Sequence, residues 1–137
     1  MVKLKISSYE KTVSFAALFI LIAFSLTAQN QKLKYNLTGI WKFDAPDAPY
    51  GYTSGSMEFR LSEGKYTGSA SFTGSDYKIP IQILKAANDS ISGGMYVDGT
   101  DVRLNLKIEN ETKMTGKAWT PDGVIVVTAI KEKPKQP

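Results

Sequence analysis

Histidine and cysteine are both absent from the 137-residue chain. Their absence removes the imidazole base, the thiolate nucleophile and the usual zinc ligands. Chemistry would fall to carboxylates, lysine, tyrosine and serine. A pair of carboxylates is enough for glycoside hydrolysis. Here the acids lie in turn segments or on the polar sides of alternating segments, so no catalytic residue, metal ligand or cofactor is assigned. A carboxylate-based hydrolase stays as an alternative that requires two acids facing one pocket. Other side chains suit recognition. Asp47, Tyr50 and Tyr52 share the segment 46–52, Asp98 precedes Gly99, and Trp119 and Asp122 flank Pro121. Aromatic rings with polar tips beside carboxylates fit a ligand or a protein partner. Turn chemistry explains the same Asp and Gly residues. No dense Asp-x-Asp loop supports calcium.

The elements that must position these residues are announced by a repeated phrase: apolar, Ser/Thr, Gly, any residue, apolar. It occurs around Gly39, Gly68, Gly93 and Gly116, at intervals of 29, 25 and 23 residues. Each interval holds two short strands and two turns, so the phrase predicts four successive hairpins. Period-two alternation predicts strands near 39–45, 54–61, 65–72, 79–83, 90–97, 102–108, 114–118 and 124–130. Asp98-Gly99 is a strong tight-turn signal. Pro80 removes a ladder donor and marks weak pairing in the fourth strand. The eighth segment is apolar on both faces, which suits a partner contact and leaves the chain a monomer or a weak dimer.

An all-β, eight-stranded antiparallel up-and-down meander follows. The repeated glycines fall on the apolar face, where a missing side chain permits strong strand curvature. Closure also removes exposed edges. A closed barrel is therefore expected over residues 37–132, after a polar lead-in at 29–36 and before a basic tail at 133–137. Phe43, Met57, Phe59, Phe72, Ile81, Met95, Leu104 and Met114 are expected inside. Their bulk favours a filled interior, whereas Gly68, Ala70, Gly93, Gly116 and Ala118 leave room. An eight-stranded barrel permits either outcome. A cavity would call for an apolar ligand.

Residues 1–28 have the order of a cleaved secretory signal: Lys3, Lys5 and Lys11, then an apolar run from 13 to 24, then Ser25-Leu26-Thr27-Ala28. The run is shorter than the roughly 20 residues that span a bilayer. Without cysteine no lipid can be attached through a thiol at the cut. A secreted or periplasmic protein, not a lipoprotein, is expected. Cleavage would remove three lysines and Glu10, leaving 109 residues with 14 basic and 12 acidic side chains. No concentrated basic stripe suited to nucleic acid remains.

Gly39-Ile40-Trp41 resembles the Gly-x-Trp signature of lipocalins and related calycin barrels, in which the Trp closes one barrel end. The phrases at 37–41 and 66–70 also look like the first and third strands of avidin-type barrels. The chain is similar to small secreted barrel modules common in Bacteroidetes. The resemblance implies that Trp41 plugs a barrel end. It argues against biotin, because avidin-type sites use several Trp rings and this chain has two Trp. Asp89-Ser90-Ile91 looks like the Bacteroidetes O-glycosylation pattern. Three Asn-x-Ser/Thr triplets begin at Asn36, Asn88 and Asn110, and turn chemistry explains them first.

The functional expectation is a non-enzymatic binding or interaction module acting through one barrel rim. In a meander the 46–52 segment shares that rim with turns near 74–76, 98–99 and 121–123. Asp47, Tyr50, Tyr52, Asp98, Trp119 and Asp122 would gather there, facing an unknown protein, a glycan or a small molecule. The alternative is a lipocalin-like carrier of a small apolar ligand.

Overall fold

The computed structural model describes residues 32–134. The expected targeting segment lies outside the described residues, as do 29–31 of the lead-in and 135–137 of the tail. The alternating segments form β1 (Gly39–Asp44), β2 (Ser54–Ser62), β3 (Lys65–Phe72), β4 (Ile79–Ala87), β5 (Ser90–Val97), β6 (Thr100–Asn110), β7 (Lys113–Thr120) and β8 (Gly123–Lys131). They pair in chain order, and β1 pairs with β8 from Trp41↔Lys131 to Asp44↔Thr128, closing the barrel. The meander and the closure are as the glycine spacing and alternation predict.

β3 and β4 depart from the simple pattern. β3 and β4 share three residue pairs, Gly68↔Ile81, Ser69↔Pro80 and Ala70↔Ile79. Pro80 sits in the middle of that short ladder, where a residue without an N–H limits pairing. β4 then runs on to Ala87 through a bulge between Ile83 and Lys85. The bulge leaves Leu84 and Lys85 exposed in succession and sets Ala86 opposite the buried Ile91. This is why the alternation in 79–83 does not announce the strand's second half.

Alternation sorts the side chains cleanly. Trp41, Met57, Phe59, Ile81, Leu104, Leu106, Ile108 and Met114 are buried inward, and no polar or charged side chain is buried among the described residues. Lys42, Arg60, Arg103, Lys107 and Lys117 point outward and are exposed. A transmembrane barrel needs the reverse, an apolar outer band. No helix among the described residues is long and apolar enough to cross a membrane. The outer wall does carry one apolar stripe, Trp119, Val124, Val126 and Ile130 on β7 and β8.

The repeated glycines sit on β1, β3, β5 and β7, the four strands that run in one direction. At two of them a side chain has no space at all. A Cβ on Gly93 would lie 2.2 Å from the Gln82 carbonyl oxygen, and one on Gly116 would lie 2.2 Å from that of Asn105. Neighbouring backbone comes this close because the sheet coils tightly to close.

The barrel's two ends differ. At the end where β1 begins, the lead-in crosses the base: Leu33 bridges Asn88 in the β4–β5 turn, and Leu37 is fully buried. Trp41 is fully buried beside it, and its Nε1–H donates to the Leu37 carbonyl at 2.9 Å. The Lys131 ammonium lies 5.3 Å from the Trp41 ring centroid and donates to the Asn36 carbonyl at 2.7 Å. Burial pushes the Lys131 pKa below the ordinary lysine value, with Glu111 opposing. The Asn triplets serve this end as turn formers. Asn36 Oδ1 accepts from the Thr38 N–H, and Asn110 Oδ1 accepts from the Thr112 N–H. Asn88 takes positive φ in the β4–β5 turn.

Candidate functional site

The opposite end is open. Its connections are residues 45–53, 73–78, 98–99 and 121–122. Beneath them the interior holds a cavity of about 390 Å³, within the usual range of small-molecule sites. Met57, Ala70, Leu104, Ala118 and Val127 form its buried lower wall. Phe43, Phe72, Met95, Val97 and Ile125 line it higher up, and Asp47, Pro49, Thr100 and Asp122 reach it from the exposed rim. Below the cavity, Trp41, Phe59, Leu37, Ile108 and Met114 are the largest fully buried side chains. The barrel is therefore filled in its lower half and hollow in its upper half. The sequence argument holds in part: Phe59 and Met114 pack the base, and Ala70 and Ala118 leave space above. Phe43, Met57, Phe72, Met95 and Leu104 instead line the cavity. Gly68, Gly93 and Gly116 leave no room, because the Phe59 ring or neighbouring backbone already occupies it.

Strand direction produces this division. Odd-numbered strands end at the mouth and even-numbered strands begin there. Inward residues late in β1, β3, β5 and β7, such as Phe43, Phe72, Met95 and Ala118, thus meet inward residues early in β2, β6 and β8, such as Met57, Val102 and Ile125. An aromatic line runs along one wall. Tyr52 meets Phe72 edge to face at 5.0 Å, and Phe72 meets Phe43 likewise at 5.8 Å. The Tyr52 hydroxyl donates to Asp98 Oδ2. That hydrogen bond, reinforced by the negative charge of Asp98, raises the Tyr52 pKa above its ordinary value.

Of the six side chains picked from the sequence as rim candidates, the structure brings four to the cavity: Asp47, Tyr52, Asp98 and Asp122. The other two stand elsewhere. Tyr50 is 102% exposed at the tip of the mouth loop, and Trp119 is 40% exposed on the outer wall. Trp119 pairs with Arg103 and Val124. It follows the inward Ala118, so strand parity turns it outward. The cavity residues absent from that sequence reading include Val97, Thr100, Val102, Thr120 and Ile125. Their inward parity was readable, but their height in the barrel required the strand ends.

The three rim aspartates belong to three different connections or turns. Among the described residues no three His, Cys, Asp or Glu side chains are placed to hold a metal ion. Ser90 is exposed at the start of β5, with its hydroxyl donating to Asp89 Oδ1 at 3.2 Å.

Fold and site together define a closed eight-stranded antiparallel barrel with one plugged end and one open apolar cavity. A solved structure of a redesigned β barrel is similar: TM-score 0.54, 18% identity, covering 72% of this chain and 92% of that chain. A likeness at that identity carries the fold alone. No family model and no curated protein matches the chain. The resemblance to lipocalins and avidin-type proteins is supported at the level of the barrel, not of a family.

Proposed function

We propose that this protein is a secreted or periplasmic binding module that holds one small, largely apolar molecule in the open end of its barrel. The observation that carries the reading is the cavity itself, whose walls are apolar from a buried floor up to a rim that carries Asp47, Asp98 and Asp122. Apolar surface released from water drives such binding, by about 25 cal/mol per Å² buried. Two threonines are the uncharged polar side chains that line it, apart from Tyr52. That lining suits an apolar body better than a sugar or peptide. Catalysis is not part of the reading. A general-acid carboxyl works best held against apolar surface with its pKa raised, whereas Asp47, Asp98 and Asp122 are exposed.

The test uses N-phenyl-1-naphthylamine, an uncharged apolar fluorophore. Saturable one-to-one fluorescence enhancement is expected, and Ala118→Phe, which fills the cavity, should abolish it with the β-sheet circular dichroism unchanged. Absence of enhancement in the unaltered protein would overturn the reading. The fully exposed Tyr50 favours a second reading, a protein or glycan contact on the mouth loop. Such a contact would survive Ala118→Phe.

A further inference from the structure

We propose, resting on the cavity reading above, that the mouth selects an organic cation: a molecule of about bicyclic size with an apolar body and an ammonium group at the rim. The chain as a whole is basic, with 17 Lys and Arg against 13 Asp and Glu. The cavity inverts that balance. Three aspartates line it, and no described Lys or Arg does. The four mouth connections carry Asp47, Asp76, Asp98 and Asp122 against a single lysine, Lys78. That lysine is turned to the outer wall, where its ammonium lies 3.5 Å from Glu58 Oε2.

Two further observations shape the cation. The aromatic line of Tyr52, Phe72 and Phe43 descends from the rim into the cavity. Aromatic rings attract cations as well as apolar groups. The carboxylates surround the opening instead of converging on a point, and they do not form a metal-binding group. A charge carried on an organic body, entering the mouth, fits that spread better than a bare ion. A carboxylate or phosphate head at the same depth would meet three like charges with no cationic side chain to offset them.

Three matched probes test the proposal: 2-(2-naphthyl)ethylammonium, 2-(2-naphthyl)ethanol and 2-naphthylacetate, titrated by calorimetry at low ionic strength. An exposed ion pair contributes a factor of a few in affinity, so several together give about tenfold. The ammonium probe should bind about tenfold tighter than the alcohol, and the alcohol tighter than the carboxylate. Added salt should compress the series, because exposed charges are screened. The double variant Asp47→Asn, Asp122→Asn keeps the Tyr52–Asp98 hydrogen bond and should bring the ammonium and alcohol affinities together. Equal binding of all three probes, or preference for the carboxylate, would overturn the cation selectivity while leaving the cavity reading standing. Failure of all three to bind the folded protein would overturn both.

Discussion

The Tyr52 hydroxyl donates a hydrogen bond to the Asp98 carboxylate, joining the mouth loop to the β5–β6 turn. The two residues are 46 positions apart in the chain. Asp98 and Gly99 both adopt positive φ, as the two central residues of a tight hairpin turn require. The turn thus presents a rigid acceptor to a long loop. Tyr52 completes the anchorage by resting its ring against Phe72. The loop bearing Asp47 and Pro49 is held at the cavity entrance by this contact.

The pairing has a pH signature. A neutral phenol donates to Asp98, and ionisation would set two negative charges side by side, so the Tyr52 pKa is raised. A raised folded-state pKa adds stability that is fully present below the ordinary tyrosine value. That stability is lost as pH rises through the folded pKa. Subtracting the ultraviolet titration of Tyr52→Phe from that of the unaltered protein isolates this phenol. It should ionise above the ordinary range of about 10. In an Asp98→Asn background the same difference should move down in pH. An unshifted phenol would show that the hydrogen bond does not persist in solution.

Gly116 should be intolerant of even one added carbon. Its Cβ would stand 2.2 Å from the Asn105 oxygen and 2.8 Å from the Leu106 Cα, both backbone atoms of β6. Backbone in a paired strand cannot swing aside as a side-chain tip can. Gly116→Ala should therefore destabilise by about 1–3 kcal/mol or more, the range of overpacking. Gly94→Ala is the control. Its nearest neighbour, the Val102 oxygen, would be 3.3 Å away, and the cost should stay below about 1 kcal/mol. Urea denaturation of the two variants measures the contrast. Equal midpoints would remove the argument that close strand approach demands glycine there.

Much of this architecture was legible because strand chemistry is local. Parity placed Phe43, Met57, Leu104 and Met114 inside, and Asp98-Gly99 marked its turn. Trp119 was expected at the rim, although the same alternation turns it outward once Ala118 faces in. The β4 bulge was not readable, since an extra residue changes parity without a signal of its own in Ile83-Leu84-Lys85. The cavity was half legible. Composition showed both bulky and small inward residues, but their separation into a packed base and a hollow mouth depends on register between strands. The Tyr52–Asp98 bond depends on loop conformation, which no periodicity encodes.

Trp41 should carry more stability than its size alone provides. Its indole N–H satisfies the Leu37 carbonyl, and both residues are fully buried. Trp41→Phe removes the donor and leaves that carbonyl without it in an apolar setting, at a cost of about 1–3 kcal/mol. The smaller ring also leaves space against Leu37, which adds a cavity term. A combined loss of about 2–4 kcal/mol in urea denaturation is expected. The effect should stay local to the plugged end, because Trp41 is not among the residues lining the cavity. Naphthylamine affinity of the folded variant should therefore match that of the unaltered protein. A loss of affinity without a loss of stability would reverse the assignment, making Trp41 part of the binding site instead of the closure beneath it.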